Sequence, residues 1–446
     1  MLGCPTNRAQ QNFKKTIKKR AYLFKIRYNG IVQKPETEEQ DMLSCNYTKD
    51  LLNLQGVNII KIENLEFDTL IYTQLPVKPH ICPYCKQQTS YIHDYRNRKI
   101  KDISAFGKHV TLIHNHRRYV CKHCGKRFAE DNSFAPKYYR VTLRLINEIF
   151  RKTESERSFT SIAKEVNLSV STVIRFFDIL AYEAPKELPK VLSIDEFKGN
   201  TGAEKYQVII TNPADKTVLD ILPDRKQSHL VSYLKQWNRD ERNAVKFFVS
   251  DMWKPYSELS EIYLKEATQL VDKYHYIRQI IWAFERVRKR IQKKYGKENR
   301  LLFKHSKRVL TMRRNKLNSK QLEQVEYLLY FNDDLRSAYY LKELFYEVLD
   351  CEDKSKGKDL LSKWILIAQN SRLKDYQECA TTLQNWSKSI FNTFDYPYTN
   401  GFTEGCNNKI KVLKRNAYGY RNFNRFRKRI LHMFNYKKSN TGKAAA

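Results

Sequence analysis

Three acidic residues of this chain lie where carboxylates commonly bind metal ions. Asp195 follows the apolar run 191–194, Asp251 follows the apolar run 247–250, and Glu404 opens a strongly basic segment. An Asp that ends an apolar strand is held rigidly at the edge of a sheet, so two paired strands can present two carboxylates together. Such a set suits Mg²⁺, and two ions about 3.5–4 Å apart activate an attacking oxygen and stabilise a leaving one. The alternative is that each Asp is an ordinary strand-end residue in a turn or ion pair.

The segment that begins at Glu404 contains no further acidic residue, whereas Lys and Arg are frequent in it. Helical periodicity gives it two faces, a charged one with Glu404, Asn408, Lys411 and Arg415, and an apolar one with Cys406, Ile410, Leu413 and Ala417. A carboxylate fixed beside cations suits a metal ion that works on a polyanion. The cations predicted to contact DNA are Lys409, Lys411, Lys414 and Arg415. A solvated basic helix with an incidental Glu is the alternative.

Two cysteine pairs predict a structural zinc site. Cys82-Pro-Tyr-Cys85 and Cys121-Lys-His-Cys124 supply four thiolates, which leave no open position on a tetrahedral Zn²⁺. A redox function for these pairs is the alternative. The surrounding segment is rich in Arg and Lys, and Arg117 and Arg118 are predicted to contact DNA; a solvated surface is the alternative.

Residues 158–177 have the pattern of a helix-turn-helix motif. Ile162, Ala163 and Val166 form an apolar helix face, 167–169 makes a turn, and Ser169 can cap a second helix. The second helix would offer Ser171, Thr172 and Arg175 to the major groove. An ordinary helical hairpin is the alternative.

Composition agrees with a polyanionic partner. The chain has 446 residues, a formal net charge of +34 and a pI of about 9.7, which favours DNA or RNA bound through phosphates. An acidic membrane surface is the rival partner, but no apolar run approaches about 18 residues. Nine cysteines, of which four are closely paired, favour metal binding over a disulfide framework. We therefore expect a cytoplasmic protein.

The elements that must position the carboxylates follow a strand-rich pattern. Runs at 191–197, 206–211 and 217–222 predict three strands, with a hairpin turn at Asn212-Pro-Ala-Asp-Lys between the last two. A helix at 229–237, a strand at 245–250, a helix at 256–266 and a strand at 268–271 follow. This order predicts a mixed sheet flanked by helices. Short strands are predicted in 68–130 and helices in 138–183 and 276–390.

The predicted fold class is multidomain α+β. We expect Met42 to be the natural start and 1–41 to be a basic, disordered extension. The predicted domains are a zinc ribbon at 42–134, a helix-turn-helix domain at 135–188, a catalytic core whose first part is 189–275, a helical insertion at 276–398, C-terminal core helices at 399–435 and a tail at 436–446.

These motifs together resemble the ISL3 family of bacterial insertion-sequence transposases, from about residue 45 to 435. Ser193-Ile-Asp-Glu-Phe197 resembles the family's first catalytic motif, Val249-Ser-Asp-Met252 the second, and 400–411 the third. The resemblance implies an RNase H-like catalytic domain in which Asp195, Asp251 and Glu404 form a DDE site with two Mg²⁺ or Mn²⁺. Asp272 and His275 match an Asp/His segment and are possible auxiliary residues, although a satisfied His at a strand end is the simpler interpretation.

The resemblance also implies a function. A transposase would bind the terminal inverted repeats of its element, cleave a strand, and join the resulting 3′-OH to target DNA, with a homodimer holding the two ends and the protein acting at the bacterial nucleoid. Two alternatives stay open at this point. A DNA-binding regulator would need the zinc ribbon and helix-turn-helix alone, and a nuclease of the same fold would hydrolyse DNA without joining it.

Overall fold

The computed structural model describes residues 56–180, 185–201 and 204–441. The predicted extension at 1–41 and the predicted start at Met42 lie outside these residues. The chain divides into two compact units, 1–146 and 147–446. No helix of the described residues is long and apolar enough to cross a membrane.

The described part of the first unit is built on a five-stranded sheet. Its strands are β1 (Asn58–Asn64), β2 (Asp68–Gln74), β5 (Ile92–Ala105), β6 (Lys108–Val120) and β7 (Arg127–Ala129), and the short pair β3 (His80–Ile81) and β4 (Gln88–Thr89) forms a separate ribbon. The sheet order is β1-β2-β6-β5, with β7 on β6. The prediction of short strands is wrong for β5 and β6, which are 14 and 13 residues long. They form one hairpin because Phe106 and Gly107 both adopt positive φ at its turn.

Three helices open the second unit or lead into it: α1 (Leu143–Lys152), which crosses the unit boundary, α2 (Phe159–Glu165) and α3 (Val170–Ile179). The predicted helices of 138–183 are therefore confirmed. The predicted cap is also present, because the Ser169 side chain accepts from the N–H of Thr172. Asn167 has a φ of +52° in the intervening turn, a conformation that Asn tolerates better than most residues.

The second unit contains the predicted mixed sheet. Its strands are β8 (Val191–Thr201), β9 (Glu204–Asn212), β10 (Thr217–Leu222), β11 (Phe247–Ser250) and β12 (Thr268–Val271), in the order β10-β9-β8-β11-β12. β8, β9 and β10 are antiparallel neighbours, whereas β8, β11 and β12 run parallel. This is the mixed sheet of the RNase H-like domain that the resemblance implies. Helices α4 (Gln227–Lys235), α5 (Arg239–Asn243) and α6 (Lys254–Tyr263) connect its later strands.

An all-helical segment separates β12 from the C-terminal helices. It contains α7 (Lys273–Lys294), α8 (Lys297–His305), α9 (Lys307–Thr311), α10 (Ser319–Tyr330), α11 (Asp333–Asp350), α12 (Lys354–Gln369), α13 (Lys374–Asn385) and α14 (Ser387–Asp395). These helices share one apolar core around Phe284, Phe345 and Trp364. The helices predicted for 276–390 are confirmed.

Two last helices, α15 (Gly401–Asn416) and α16 (Phe423–Thr441), return to the sheet. Cys406, Ile410 and Leu413 of α15 pack with Phe426 and Ile430 of α16 in one cluster. That cluster contains the side chains of β8, β9 and β10 that point to one face, whereas α4 and α6 pack with side chains of the other face. The apolar face predicted for the Glu404 segment is thus its sheet-facing side.

Candidate active site and metal centre

The parallel pairing of β8, β11 and β12 ends at one edge of the second unit's sheet. β8 itself continues to Thr201 and pairs Asp195 with Ile209 of β9, so the prediction that Asp195 ends its strand is wrong. β11 is paired with β8 so that Val249 lies opposite Ser193, and Asp251 and Asp195 each follow these positions by two residues. β12 adds a third carboxylate, because Asp272 follows Val271 and its N–H donates to the carbonyl oxygen of Ser250 at 3.1 Å. Three neighbouring strands therefore carry acidic residues just beyond the ends of their parallel pairing.

A buried network of hydrogen bonds fixes the start of α15 to this edge. The N–H of Asn400 donates to Oδ1 of Asp272 at 3.2 Å. Thr403 Oγ1 lies 3.1 Å from Ser193 Oγ and 2.8 Å from Thr211 Oγ1, and Ser193 Oγ also donates to Oδ1 of Asn400. Since the helix is tied to β8, β9 and the end of β12, Glu404 in its first turn is directed to the carboxylate edge.

Asn407, one turn after Glu404, contacts the first carboxylate. Its Nδ2 donates to Oδ2 of Asp195 at 2.9 Å, while Oδ1 of Asp195 accepts from the N–H of Glu196 at 2.7 Å. Both oxygens of Asp195 are therefore oriented by the protein. The sequence pattern did not single out Asn407; its spacing of three from Glu404, on the side of the helix that meets the sheet, was the available signal.

The carboxylates are close enough to perturb one another. Burial, with the charges of Glu404, Glu196 and Asp272, raises the pKa of Asp195 to about 6. Burial, with the charges of Glu196 and Asp195, raises the pKa of Asp251 to about 7. Burial and the charge of Asp272 also raise the pKa of Glu404. A bound divalent cation would offset the repulsion among these crowded carboxylates and lower their pKa values.

The ligand atoms of Asp195, Asp251 and Glu404 do not all lie within 4.8 Å of one another. Within the described residues, sets of three or more His, Cys, Asp or Glu whose ligand atoms all lie within 4.8 Å are found elsewhere, at the four cysteines and at a buried His/Glu group of the first unit. A pair of ions about 3.5–4 Å apart needs wider ligand separations than one ion does. The Oδ1 atom of Asp251 is buried and has no hydrogen-bond partner among the described residues.

Further side chains border the edge. Glu196 accepts from Arg225 at 3.1 Å and from Tyr256 at 3.3 Å, and its charge bears on Asp251. Glu196 was not among the predicted site residues, although it is the next residue after Asp195. His275 is desolvated, which lowers its pKa, and its Nδ1 lies 3.3 Å from Nη2 of Arg278.

The predicted phosphate-binding cations of α15 differ in availability. Lys409, Lys411 and Arg415 are exposed, and Lys411 and Arg415 share the exposed face with Glu404 as predicted. Lys414 is half-buried and its Nζ donates to the carbonyl oxygen of Lys198.

The four predicted zinc cysteines converge in the first unit. Sγ of Cys82 lies 3.7 Å from Sγ of Cys124, and Sγ of Cys85 lies 3.5 Å from Sγ of Cys121. Thiolates about 2.3 Å from a tetrahedral Zn²⁺ are separated by about 3.8 Å, so the set fits the ion. Each knuckle ends on a residue with positive φ, Lys86 in the first and Gly125 in the second.

α3, the second helix of the helix-turn-helix motif, exposes part of the surface that was predicted to contact DNA. Ser171 and Arg175 are exposed and Thr172 is half-buried. The hydroxyls of Ser171 and Thr172 lie 3.1 Å and 2.8 Å from Ser169 Oγ, so they also stabilise the start of the helix.

The predicted contact of Arg117 with DNA is wrong. Its side chain is 1% exposed, and its guanidinium donates to Glu130 and to the carbonyl oxygens of Leu75 and Pro76. A buried guanidinium that bonds within its own unit is not available to phosphates. Arg118 is partly exposed, and Asp94 accepts two hydrogen bonds from it.

Comparison with known sequences identifies the family. The profile of a family described as transposase matches residues 192–430, more than half of the chain. The chain belongs to the ISL3 family of transposases. A profile described as the zinc-finger of transposase IS204/IS1001/IS1096/IS1165 matches residues 78–124, and one described as the helix-turn-helix domain of transposase family ISL3 matches 130–178. The resemblance inferred from the motifs is confirmed, and the four cysteines are those of a zinc ribbon.

Individual relatives of this transposase agree with that assignment. It is 25% identical to the transposase for insertion sequence element IS1001 of Bordetella parapertussis, over 85% of this chain and 96% of that protein. A match of 27% identity to the transposase for IS1557 of Mycobacterium tuberculosis covers 31% of each chain. A Lactococcus lactis protein described as an ATP-dependent protease is 36% identical over 24% of this chain and 33% of its own length.

Proposed function

We propose that this transposase cleaves and joins DNA at a DDE site formed by Asp195, Asp251 and Glu404. The observation that carries the proposal is the docking of α15. The hydrogen bonds of Asn400 and Thr403 bring Glu404 to the edge where the parallel pairing between the strands of Asp195 and Asp251 ends. The charge of Glu404 raises the pKa of Asp195, and the charge of Asp195 raises the pKa of Asp251, which is expected of carboxylates gathered at one functional site.

The residues fit Mg²⁺. Carboxylate oxygens are its preferred protein ligands, and the buried Oδ1 of Asp251 lacks another partner among the described residues. Asp195, Asp251 and Glu404 would hold the ions, and Asn407 would keep Oδ2 of Asp195 in a fixed orientation. Mg²⁺ or Mn²⁺ bound there supplies activation of the attacking oxygen and charge stabilisation of the leaving oxygen. We assign Asp272 a positioning function, because its Oδ1 accepts from the N–H of Asn400, and we assign His275 none in proton transfer.

The cations of α15 would neutralise the phosphates of the bound strand. Lys411 and Arg415 continue the exposed face of Glu404, and Lys409 is exposed on the same helix. A phosphodiester placed against Glu404 therefore meets positive charge within one to three helical turns. The reaction is an in-line displacement in which water first cleaves a strand, leaving a 3′-OH and a 5′-phosphate. The 3′-OH then attacks a target phosphodiester and displaces the 3′-oxygen of the target strand, which leaves as a new 3′-OH.

Recognition of the element ends would fall to α3 and the zinc ribbon. We propose that Ser171, Thr172 and Arg175 contact the terminal inverted repeats, with Arg118 as a phosphate contact and Arg117 excluded by its burial. We also propose the domain boundaries given above, a homodimer that holds the two ends together, and action in the cytoplasm on nucleoid DNA.

The test uses a labelled element-end duplex with Mg²⁺ or Mn²⁺. We expect Asp195→Asn to abolish strand cleavage while end binding survives. Asp240→Asn is the matched control, because Asp240 is exposed at the start of α5 in the same unit. Cleavage retained in Asp195→Asn would refute the site assignment.

The same assay separates the alternative functions. Pre-cut ends that are joined to target DNA identify a transposase reaction, whereas cleavage without joining identifies a nuclease. Binding to the duplex without either reaction would identify a regulator.

A further inference from the structure

The first unit contains a second cluster of metal-ligand atoms that the zinc-ribbon motif does not include. His114, His116 and Glu130 are all buried, and one ligand atom from each lies within 4.8 Å of the others. Among the described residues of this unit, the four cysteines form the other such set of ligand atoms. We propose that these three residues bind a second zinc ion.

The positions of the three side chains follow from the sheet. His114 and His116 are two residues apart on β6 and so point to the same face. Glu130 follows β7, which pairs with the same strand, and its N–H donates to the carbonyl oxygen of Arg117 at 3.0 Å. The backbone therefore directs both imidazoles and the carboxylate to one location.

The interatomic distances suit Zn²⁺. Oε1 of Glu130 lies 3.8 Å from Nε2 of His114 and 3.9 Å from Nδ1 of His116. Ligands about 2.1 Å from a tetrahedral Zn²⁺ are about 3.4 Å apart, so small side-chain rotations complete the geometry. Two imidazoles and a carboxylate are a known zinc-ligand set that leaves one position for water.

Both imidazole nitrogens that face Glu130 need a partner. Nε2 of His114 and Nδ1 of His116 are buried and have no hydrogen-bond partner among the described residues, and such an atom costs about 1–3 kcal/mol. Desolvation lowers the pKa of both rings, as expected for imidazoles buried in the sheet. Nδ1 of His114 lies 3.3 Å from Thr73 Oγ1, the type of outer contact that orients a ligating ring.

Arg117 is the competing cation at this cluster. The guanidinium Nη1 of Arg117 lies 3.3 Å from Oε2 of Glu130, and the backbone N–H of Arg117 donates to Oε1 at 2.8 Å. A carboxylate oxygen can accept more than one contact. Arg117 can therefore anchor Glu130 while Oε1 faces the two imidazoles. The alternative is a metal-free network in which Arg117 alone balances Glu130 and the two nitrogens stay unpaired.

The test measures metal content in the full chain. Purified protein is stripped, reloaded with Zn²⁺ and analysed by elemental mass spectrometry, with an expected content of about two ions per chain in place of the one that the four cysteines bind. His116→Gln and Glu130→Gln should each bind about one. His109→Gln changes a histidine of the same strand whose ring lies 3.2 Å from Ser104 Oγ, away from the cluster, and should keep both ions.

If a variant fails to fold, spectroscopy of the wild-type chain tests the proposal instead. The wild-type chain is titrated with Co²⁺, which gives thiolate charge-transfer absorption at the cysteines and none at a His/Glu site. A second bound equivalent without added thiolate absorption supports the proposal. Saturation at one equivalent with thiolate ligands, or an all-sulfur zinc shell by X-ray absorption, would overturn it without affecting the proposed transposase site in the other unit.

Discussion

At the residue scale, Asp195 depends on a neighbour that takes no part in the proposed ligand set. Nδ2 of Asn407 donates to its Oδ2 at 2.9 Å. We expect Asn407→Ala to lower the cleavage rate about 10–100-fold, the usual cost of losing an outer contact to a metal ligand, with end binding unchanged. Asn408→Ala is the matched control, since Asn408 is the same residue type one position later and is exposed. Equal cleavage rates for both variants would remove Asn407 from the site.

A second residue-scale prediction concerns pH. The folded protein raises the pKa of Asp251 from 3.8 to about 7, so it binds more protons than the unfolded chain between these values. Stability therefore decreases as pH rises through that range when no Mg²⁺ is added. Near pH 8 we expect Asp251→Asn to unfold with a free energy on the order of 1–3 kcal/mol higher than wild type, and near pH 4 the two should agree.

Thermal denaturation across this pH range, with and without Mg²⁺, measures the effect. Added Mg²⁺ should stabilise wild type at high pH and leave Asp251→Asn nearly unchanged. A wild-type protein that is the more stable of the two at high pH without Mg²⁺ would contradict the assignment.

At the element scale, the helix-turn-helix depends on α16. The buried guanidinium of Arg429 donates to the carbonyl oxygens of Thr153, Ser155 and Arg157, which form the connection between α1 and α2. Arg429→Met should leave these oxygens without donors and destabilise α2 and α3 by about 2–4 kcal/mol. Hydrogen exchange of the two helices measures this, and end binding should weaken with it.

Arg421→Met is the control for that prediction. Arg421 is exposed between α15 and α16, so its replacement should leave the exchange of α2 and α3 unchanged. Equal protection in both variants would show that α16 does not support the motif.

The sequence predicted elements better than side-chain partners. Strands β8 to β12, the hairpin turn and the two faces of α15 follow from local periodicity and turn residues, and they were predicted. The network of Ser193, Asn400 and Thr403 joins residues 207 or more positions apart, and local patterns carry no record of such pairing. Arg117 failed as a DNA contact for a related reason, because composition reports charge and not burial.

At the scale of the whole molecule, the charge of +34 predicts a binding property. DNA binding should release many counterions, so affinity should fall about 10³–10⁵-fold between about 50 and 200 mM salt if six to ten phosphates are contacted. Titrations with an element-end duplex and a scrambled duplex of equal length measure the two slopes. We expect the logarithm of affinity to fall with similar slopes against the logarithm of salt concentration for the two duplexes. The element-end duplex should bind more tightly by a constant factor that α3 contributes, whereas an affinity independent of salt would contradict phosphate-dominated binding.

The late position of α15 in the chain has a consequence for synthesis in the cell. The edge of the sheet is complete only when Asn400 reaches Ser193, 207 residues earlier, after the whole helical segment has been made. A ribosome-bound chain, or one cut short by a frameshift before α15, has the strands of Asp195 and Asp251 but lacks Glu404. Because they lack one ligand of the proposed site, we expect unfinished copies of the enzyme to leave the host chromosome uncut.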